Sequence, residues 1–211
     1  MKFLLTGFEP FGGEKINPAF EILKTLPESI GSCKLIKREL PTSYKGSVNM
    51  IESLLETEKP DVVLSLGQAG GSHGLVVEKV GINLRDANAT DNDGHRASHE
   101  AIFKDGETAY FSTLPVKAMV TKIMESNVPA SLSYSAGAYV CNNVLYTLLH
   151  LGKICYQDMR CGFIHVPYFP EQIIGKRSTF YMTPEEMTRG LMAALSAIAE
   201  NDVDVDFIGA Y

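Results

Sequence analysis

The sequence predicts one α/β domain in which a mostly parallel, twisted sheet is covered by helices on both faces. Apolar strand-like runs alternate with segments of helical periodicity along the whole chain. Strands that alternate with helices require crossover connections, and these produce parallel pairing. A length of 211 residues suits a single core, and no repeat, low-complexity run or Pro/Ser-rich linker divides the chain.

The first half of the chain carries clear strand, capping and turn signals. Residues 2–6 predict a buried strand that runs into a Gly/Pro loop, and Asn17-Pro18 predicts the capped start of a helix that ends near Leu26. The elements that follow are a strand at 35–40, a helix that stops before Pro60, a strand at 61–66 leading into the glycine-rich turn 67–74, a strand-like run at 75–84 broken by Gly81, and a polar loop at 86–96.

The second half continues the alternation. Pro115 predicts the start of one helix, Cys141 the start of another, and Thr183-Pro184-Glu185-Glu186 a capping box that opens a last helix to about Glu200. Strands are predicted at 108–112, 132–135 and 161–166. We expect the domain to span residues 1–200, followed by an acidic tail at 201–211. An edge strand, an oligomer contact and a frayed end are the alternatives for the tail, and a frayed end is favoured.

Composition excludes several classes of protein. Acidic residues outnumber basic ones by 25 to 19, so the basic surface typical of nucleic-acid binding is missing. No run approaches the roughly 18 apolar residues of a membrane span, and the apolar start is too short for a secretory signal. The four cysteines form neither a Cys-x-x-Cys pair nor a disulfide framework. We therefore expect a cytoplasmic protein with free thiols and neither nucleic-acid nor membrane partners.

Three chemically unusual residues point to one site. Ligands of open α/β sheets bind beyond the carboxyl ends of the strands. Cys141 begins a predicted helix there, and a helix N-terminus favours a thiolate and can hold an oxyanion. His165 and Glu78 lie in strands, where a core histidine and a solvent-facing glutamate are the simpler interpretations. Together the three residues supply a nucleophile, a base and an orienting carboxylate.

Four motifs in order give the chain a family resemblance. They are TGFEPFG at 6–12, VEKVGIN at 77–83, SAGAYVCN at 135–142 and GFIHVP at 162–167. With this spacing the chain resembles pyrrolidone-carboxylate peptidase (pyroglutamyl peptidase I) from about residue 2 to 200. The resemblance implies a three-layer α/β/α sandwich and a cysteine peptidase that removes an N-terminal pyroglutamyl residue from peptides. It implies Cys141 as nucleophile, His165 as general base and acid, and Glu78 as the residue that orients the imidazole.

The same resemblance implies no cofactor, a cytoplasmic setting and, commonly, a homotetramer, and we predict no metal ligands. It also places a substrate pocket. Pyroglutamate is a flat, neutral lactam, so its pocket should offer aromatic faces and a few hydrogen-bonding groups. The residues at family pocket positions are Phe8, Phe11, Gln68, Tyr139 and Val140.

The chain departs from the family's pattern at Asp86-Ala87-Asn88-Ala89, where many relatives carry an arginine in place of Asn88. That arginine is associated with the oxyanion or with fixing the site. Asn88 offers only a neutral hydrogen bond, so we predict weaker transition-state stabilisation, unless the loop brings Arg85 into the site.

Other interpretations remain open. Gly70-Gly71-Ser72-His73-Gly74 fits the Gly-x-Ser-x-Gly motif of serine hydrolases, but a strand-like run follows it instead of a helix. His95 and His99, near Asp91 and Asp93, would form a metal site if their segment were helical. The glycine turn 67–74 would suit phosphate, although no P-loop lysine follows. A non-catalytic protein that binds a small ligand on the same fold is the last alternative.

Overall fold

The computed structural model describes residues 1–177 and 179–205. Strands and helices alternate along them. The strands are β1 (Lys2–Phe8), β2 (Ser29–Ile30), β3 (Cys33–Leu40), β4 (Val62–Gln68), β5 (Leu75–Glu78), β6 (Val80–Ile82), β7 (Ala109–Phe111), β8 (Ala130–Ser133) and β9 (Arg160–Val166). The helices are α1 (Pro18–Thr25), α2 (Tyr44–Glu58), α3 (Val116–Glu125), α4 (Val140–Ile154) and α5 (Pro184–Glu200), with a 3-10 helix at Pro170–Ile173.

Seven strands form the main sheet in the order β2-β3-β1-β4-β9-β5-β8. The pairs β1–β3, β1–β4, β4–β9 and β5–β8 are parallel, which confirms the predicted, mostly parallel sheet. The pairs β2–β3 and β5–β9 are antiparallel. The chain reverses between β4 and β5 because residues 69–74 form a connection too short for the crossover helix that a parallel return needs.

The strand-like run at 75–84 is not one strand. It divides at Lys79 into β5, which belongs to the main sheet, and β6, which pairs with β7 in a separate two-stranded sheet. Lys79 donates its backbone N–H to Ser133 and accepts from the N–H of Ser112, so its two peptide groups bond to different parts of the chain. The prediction of a continuous strand, broken only by Gly81, was wrong in this respect.

Helices cover both faces of the sheet. One buried apolar cluster joins α1, α3 and α5 to the sheet, and a second joins α2 and α4 to its other face. The predicted α/β/α sandwich is thereby confirmed. Among the described residues, none of the helices has both the length and the apolar character needed to cross a bilayer.

Local side-chain chemistry sets two predicted helix starts. Asn17 accepts a hydrogen bond from the N–H of Ala19 at 3.1 Å and so caps α1. Thr183 and Glu186 form the reciprocal capping box of α5. Both predictions are confirmed, because a cap depends on residues within one helical turn.

The described part of the acidic tail packs onto the domain. The carboxylate of Asp204 accepts hydrogen bonds from the N–H groups of Lys117 and Ala118, at 2.8 and 3.4 Å. These groups belong to the first turn of α3, whose N-cap residue, Pro115, makes no side-chain cap. Residues 201–205 are therefore not a frayed end, whereas residues 206–211 lie outside the described part of the chain.

Candidate active site

Cys141 is the second residue of α4 and lies at its N-terminus, where first-turn N–H groups have no intrahelical acceptor. Its thiol is free and half-buried. The preceding loop turns at Gly137, whose φ is +76°. The sulfur occupies space that Gly67 leaves open, because a Cβ at residue 67 would come within 2.7 Å of Cys141 Sγ. A missing side chain on β4 thus makes room for the thiol.

His165 and Glu78 form a buried pair across the β5–β9 ladder. His165 lies directly opposite Val76, and Glu78 lies two residues further along β5 on the same face. This diagonal position brings Glu78 Oε1 to 2.7 Å from His165 Nδ1. Glu78 is only 2% exposed and His165 only 7% exposed. Glu78 Oε2 has no hydrogen-bond partner among the described residues, so the carboxylate makes its side-chain hydrogen bond to the imidazole alone.

The thiol of Cys141 lies near the imidazole and affects its pKa. Burial by itself would lower the pKa of His165, but the charge and hydrogen bond of Cys141, followed by those of Glu78, raise that pKa to about 10. Since Nδ1 faces Glu78, Nε2 is the nitrogen available to the sulfur. The structure thus brings Cys141, His165 and Glu78 close together, although they come from three different elements.

Beside these three residues β1 and β4 separate, and we call the gap between the two strand ends the cleft. Their ladder pairs residues from Phe3 with Val62 to Thr6 with Ser65, and ends there although both strands continue. In the sheet, β3 lies on one side of β1 and β4 lies on the other. The chain therefore changes direction across the sheet after β3, and the boundary between β1 and β4 is a switch point in strand order. Switch points are where open α/β sheets bind ligands.

The predicted pocket residues near the end of β1 and the start of α4 are buried to different degrees. Phe8 is buried and packs on Phe163 with ring centroids 6.4 Å apart, and Val140 is fully buried in the same cluster. Phe11 and Tyr139 are half-buried, with ring centroids 6.2 Å apart. The hydroxyl of Tyr139 donates to the carbonyl of Thr90 at 2.9 Å, which fixes the ring.

Gln68 ends β4 and is 9% exposed. Side chains alternate along a strand, so its side chain lies on the face opposite to Gly67 and Cys141. Its Oε1 accepts a hydrogen bond from Gln172 Nε2 at 2.8 Å. Sequence reasoning missed Gln172, because a glutamine in an irregular segment carries no local signal of a contact 104 residues away.

The side chain of Arg85 is held by residues other than Asn88. Arg85 Nε donates to Asn143 Oδ1 at 2.7 Å, its guanidinium lies 5.7 Å from the ring centre of Tyr44, and burial lowers its pKa. Instead, Arg96 Nη2 donates to Asn88 Oδ1 at 3.1 Å. The cation beside Asn88 is therefore Arg96, a residue that the sequence pattern did not single out.

The structure supports neither the serine nor the metal alternative. Ser72 lies in the loop between β4 and β5, and a strand follows it, so the helix required by a nucleophile elbow is absent there. The carboxylate of Asp91 accepts hydrogen bonds from the backbone N–H groups of Tyr44 at 2.9 Å and His95 at 2.8 Å. His99 is exposed and faces Asp86. Within residues 1–177 and 179–205, no three His, Cys, Asp or Glu side chains are grouped to hold a metal ion.

An α/β/α sandwich in which a cysteine at a helix N-terminus meets a buried histidine–glutamate pair is the arrangement of a cysteine-type hydrolase. Comparison with known proteins gives the family. The pyroglutamyl peptidase family matches residues 1–201, and the chain belongs to it. This confirms the resemblance carried by the four motifs and makes the protein a member of a family of cysteine peptidases.

Relatives of known name and structure match along their whole length. The pyrrolidone-carboxylate peptidase of Clostridium perfringens strain ATCC 13124 is 47% identical over 209 residues, which is 99% of this chain and 98% of the relative. The crystal structure of pyroglutamyl peptidase I from Bacillus amyloliquefaciens is similar with a TM-score of 0.94 at 35% identity, covering 98% of each chain. Pyrrolidone carboxyl peptidase from Thermococcus litoralis gives 0.93 at 36% identity, covering 98% of this chain and 99% of that one.

Proposed function

We propose that this protein hydrolyses the amide bond that follows an N-terminal pyroglutamyl (5-oxoprolyl) residue of peptides, using Cys141, His165 and Glu78. The observation that carries the proposal is the buried imidazole–carboxylate pair beside the half-buried thiol of Cys141, with 2.7 Å between His165 Nδ1 and Glu78 Oε1. Family membership supplies the substrate class, and these three groups supply the chemistry.

The first half of the reaction forms a thioester. Cys141 Sγ attacks the pyroglutamyl carbonyl as the thiolate, and the electron pair of the C=O bond moves to oxygen. The N–H groups at the start of α4 hold this oxyanion. When the tetrahedral intermediate collapses, the C–N bond breaks, and the His165 imidazolium gives its Nε2 proton to the leaving amine.

The second half uses water and returns the enzyme to its starting state. Neutral His165 takes a proton from a water molecule, whose oxygen attacks the thioester carbonyl. The C–S bond then breaks, so that pyroglutamate leaves and the thiolate–imidazolium pair reforms. Throughout, Glu78 fixes the tautomer and direction of the imidazole and favours its charged form. The three side chains complete this cycle, and we propose that it needs no cofactor or metal.

The pocket suits a neutral lactam. Phe8, Phe11 and Tyr139 would supply apolar faces for the flat ring, with Val140 beneath them and Gln68 at the end of β4. The buried carboxylate of Glu78 would not serve as the anionic partner of a free α-amino group, because it is taken by His165. We therefore propose discrimination against peptides with an ordinary N-terminus.

We further propose that the enzyme works in the cytoplasm as a homotetramer, which the family resemblance implies. Light scattering coupled to size-exclusion chromatography tests the assembly, for which we expect about four times the chain mass of 23.1 kDa. A monomer at the concentrations used in the assay would refute this part of the proposal.

The activity is tested by the release of a fluorescent amine from its pyroglutamyl amide, in reductant, by wild type and Cys141→Ala. Cys155→Ala is the matched control, because Cys155 is exposed at the end of α4. We expect turnover by wild type and Cys155→Ala only. Turnover by all three would refute the role of Cys141 and direct attention to Ser72→Ala and to chelators. No turnover by a folded wild type would favour a ligand-binding protein.

A further inference from the structure

Gln172 lies at the centre of a buried hydrogen-bond network that takes no part in the chemistry proposed above. Its side chain, in the 3-10 helix after β9, is 7% exposed. Its Oε1 accepts from the N–H of Phe169 at 3.0 Å. Its Nε2 donates to Gln68 Oε1 at 2.8 Å and to Glu14 Oε2 at 3.2 Å, and lies 3.4 Å from the carbonyl oxygen of Ile16. Three separate segments therefore meet at one amide.

The chemistry of the neighbours fixes the orientation of this amide. The N–H of Phe169 can only donate, and the carbonyl of Ile16 can only accept. Glu14 is an acceptor too, because its hydrogen bond to Lys176 holds the pKa of its carboxyl below the usual value. Gln172 must therefore donate from Nε2 to Gln68, and Gln68 must accept this hydrogen bond with Oε1. A carboxylate at position 172 would lack the donor that this arrangement needs.

The first consequence concerns the end of β4. Gln68 is the last residue of this strand, beyond the point where β4 has separated from β1. Its neighbour Gly67 borders the sulfur of Cys141 on the opposite face. The hydrogen bond to Gln172 thus holds the end of β4 from the face of the sheet opposite to Cys141. It does so at a point where β1 no longer pairs with β4.

The second consequence concerns Phe11. The N–H of Glu14 donates to the carbonyl of Phe11 at 3.1 Å and closes a tight turn. Gly12 and Gly13 occupy its two central positions with φ of +61° and +82°, which only glycine adopts readily. Anchoring Glu14 therefore also fixes Phe11, whose ring meets Tyr139 on the other side of the cleft.

We propose that Gln172 is a positioning residue for the pyroglutamyl pocket, which it shapes by holding both the end of β4 and the turn that carries Phe11. This inference rests on the proposed function. Among the described residues Gln172 makes no hydrogen bond to Cys141 or His165, so it acts on the binding of the lactam and not on the reactivity of the thiol.

The test separates lactam binding from thiol reactivity. Gln172→Leu removes both polar atoms, and Gln172→Glu keeps the acceptor for Phe169 but loses the donor. The exposed Gln157→Leu is the matched control. The measurements are KM and kcat for the fluorescent pyroglutamyl amide, the inhibition constant of 2-pyrrolidone (the lactam alone), the rate at which iodoacetamide alkylates Cys141, and the unfolding temperature.

For both Gln172 variants we expect KM and the 2-pyrrolidone constant to rise about tenfold, the change that corresponds to losing a buried hydrogen bond to a charged or amide partner. We expect kcat and the alkylation rate to stay within about twofold of wild type. Unchanged KM and inhibition constants, or an equal fall of kcat and alkylation rate with unchanged KM, would overturn the proposal.

Should the Gln172 variants fail to fold, Glu14→Leu tests the same network from its more accessible end, because the side chain of Glu14 is 24% exposed. It should raise KM in the same direction without slowing alkylation, and an unchanged KM would again overturn the proposal. A wild type that leaves the pyroglutamyl amide intact would instead refute the proposed function. The two failures are thereby distinguished.

Discussion

Replacing Glu78 by glutamine tests how the buried carboxylate supports His165. The substitution preserves the shape of the side chain but removes its charge. Glu78 is one of the two groups that raise the pKa of His165 to about 10 against the effect of burial. His165 is protonated below this pKa, and the imidazolium is the form that protonates the leaving amine. Without the carboxylate, the imidazolium loses its proton at lower pH.

The size of the effect follows from the geometry. The Glu78–His165 hydrogen bond is 2.7 Å long and both partners are buried, so water does not screen it. A hydrogen bond to a charged group of this kind contributes roughly 1.5–3 kcal/mol. At about 1.4 kcal/mol per pH unit or per factor of ten, the alkaline limb of the pH–rate profile should move down by about 1 to 2 pH units. At pH 10 kcat/KM of Glu78→Gln should therefore fall about 5- to 50-fold below that of wild type, whereas at pH 7 the imidazolium persists in both proteins and kcat/KM should change little.

The assay is kcat/KM for the fluorescent pyroglutamyl amide between pH 5 and 10, for wild type, Glu78→Gln and Glu52→Gln. Glu52 is exposed on α2 and controls for the loss of one negative charge. Its profile should match that of wild type. An alkaline limb that stays in place in Glu78→Gln, with normal kcat/KM, would refute the role of Glu78 and leave His165 and Cys141 to act as a dyad.

Three further predictions concern residues around the site and the tail. Gly67→Ala should slow both turnover and alkylation of Cys141 by about 5- to 150-fold, which corresponds to the roughly 1–3 kcal/mol of overpacking, because its Cβ would meet Sγ at 2.7 Å. Normal rates would contradict this. Asp204→Ala should cost about 1 kcal/mol of unfolding free energy and roughly 2–4 °C in Tm, whereas Asp204→Asn keeps the cap and the Tm. Asn88→Arg should raise kcat/KM about fivefold, because a charge-assisted hydrogen bond would stabilise the transition state by about 1 kcal/mol more. An unchanged kcat/KM would refute the prediction that Asn88 weakens transition-state stabilisation.

What the sequence predicted well depends on interactions over short distances. The caps at Asn17 and Thr183 involve residues within one turn, and the alternation of strands and helices follows from periodicity alone. Cys141, His165 and Glu78 were recognisable because a polar side chain in an apolar strand, or a thiol at a helix start, is unusual in itself. The four ordered motifs then connected these separate signals to one family.

What the sequence did not predict depends on which distant segments meet. The direction of β5 follows from the length of one loop, and the division at Lys79 follows from partners more than 30 residues away. Gln172 carries no local signal, because it acts through a hydrogen bond to Gln68, which is 104 residues away. Arg96 contacts Asn88 within the same polar loop, but an irregular loop has no periodicity from which that contact could be predicted. Such contacts become visible only when the chain is folded.

The register of β9 explains why the site forms where it does. On one side His165 pairs with Gly67 of β4, and on the other it pairs with Val76 of β5. The glycine leaves space on the α4 face for the sulfur of Cys141, while the antiparallel course of β5 places Glu78 diagonally beside the same imidazole. A shift of one residue in either ladder would turn Gly67 or Glu78 to the opposite face of the sheet. The proposed thiol–imidazole–carboxylate series therefore depends on sheet register as much as on the identity of its three side chains.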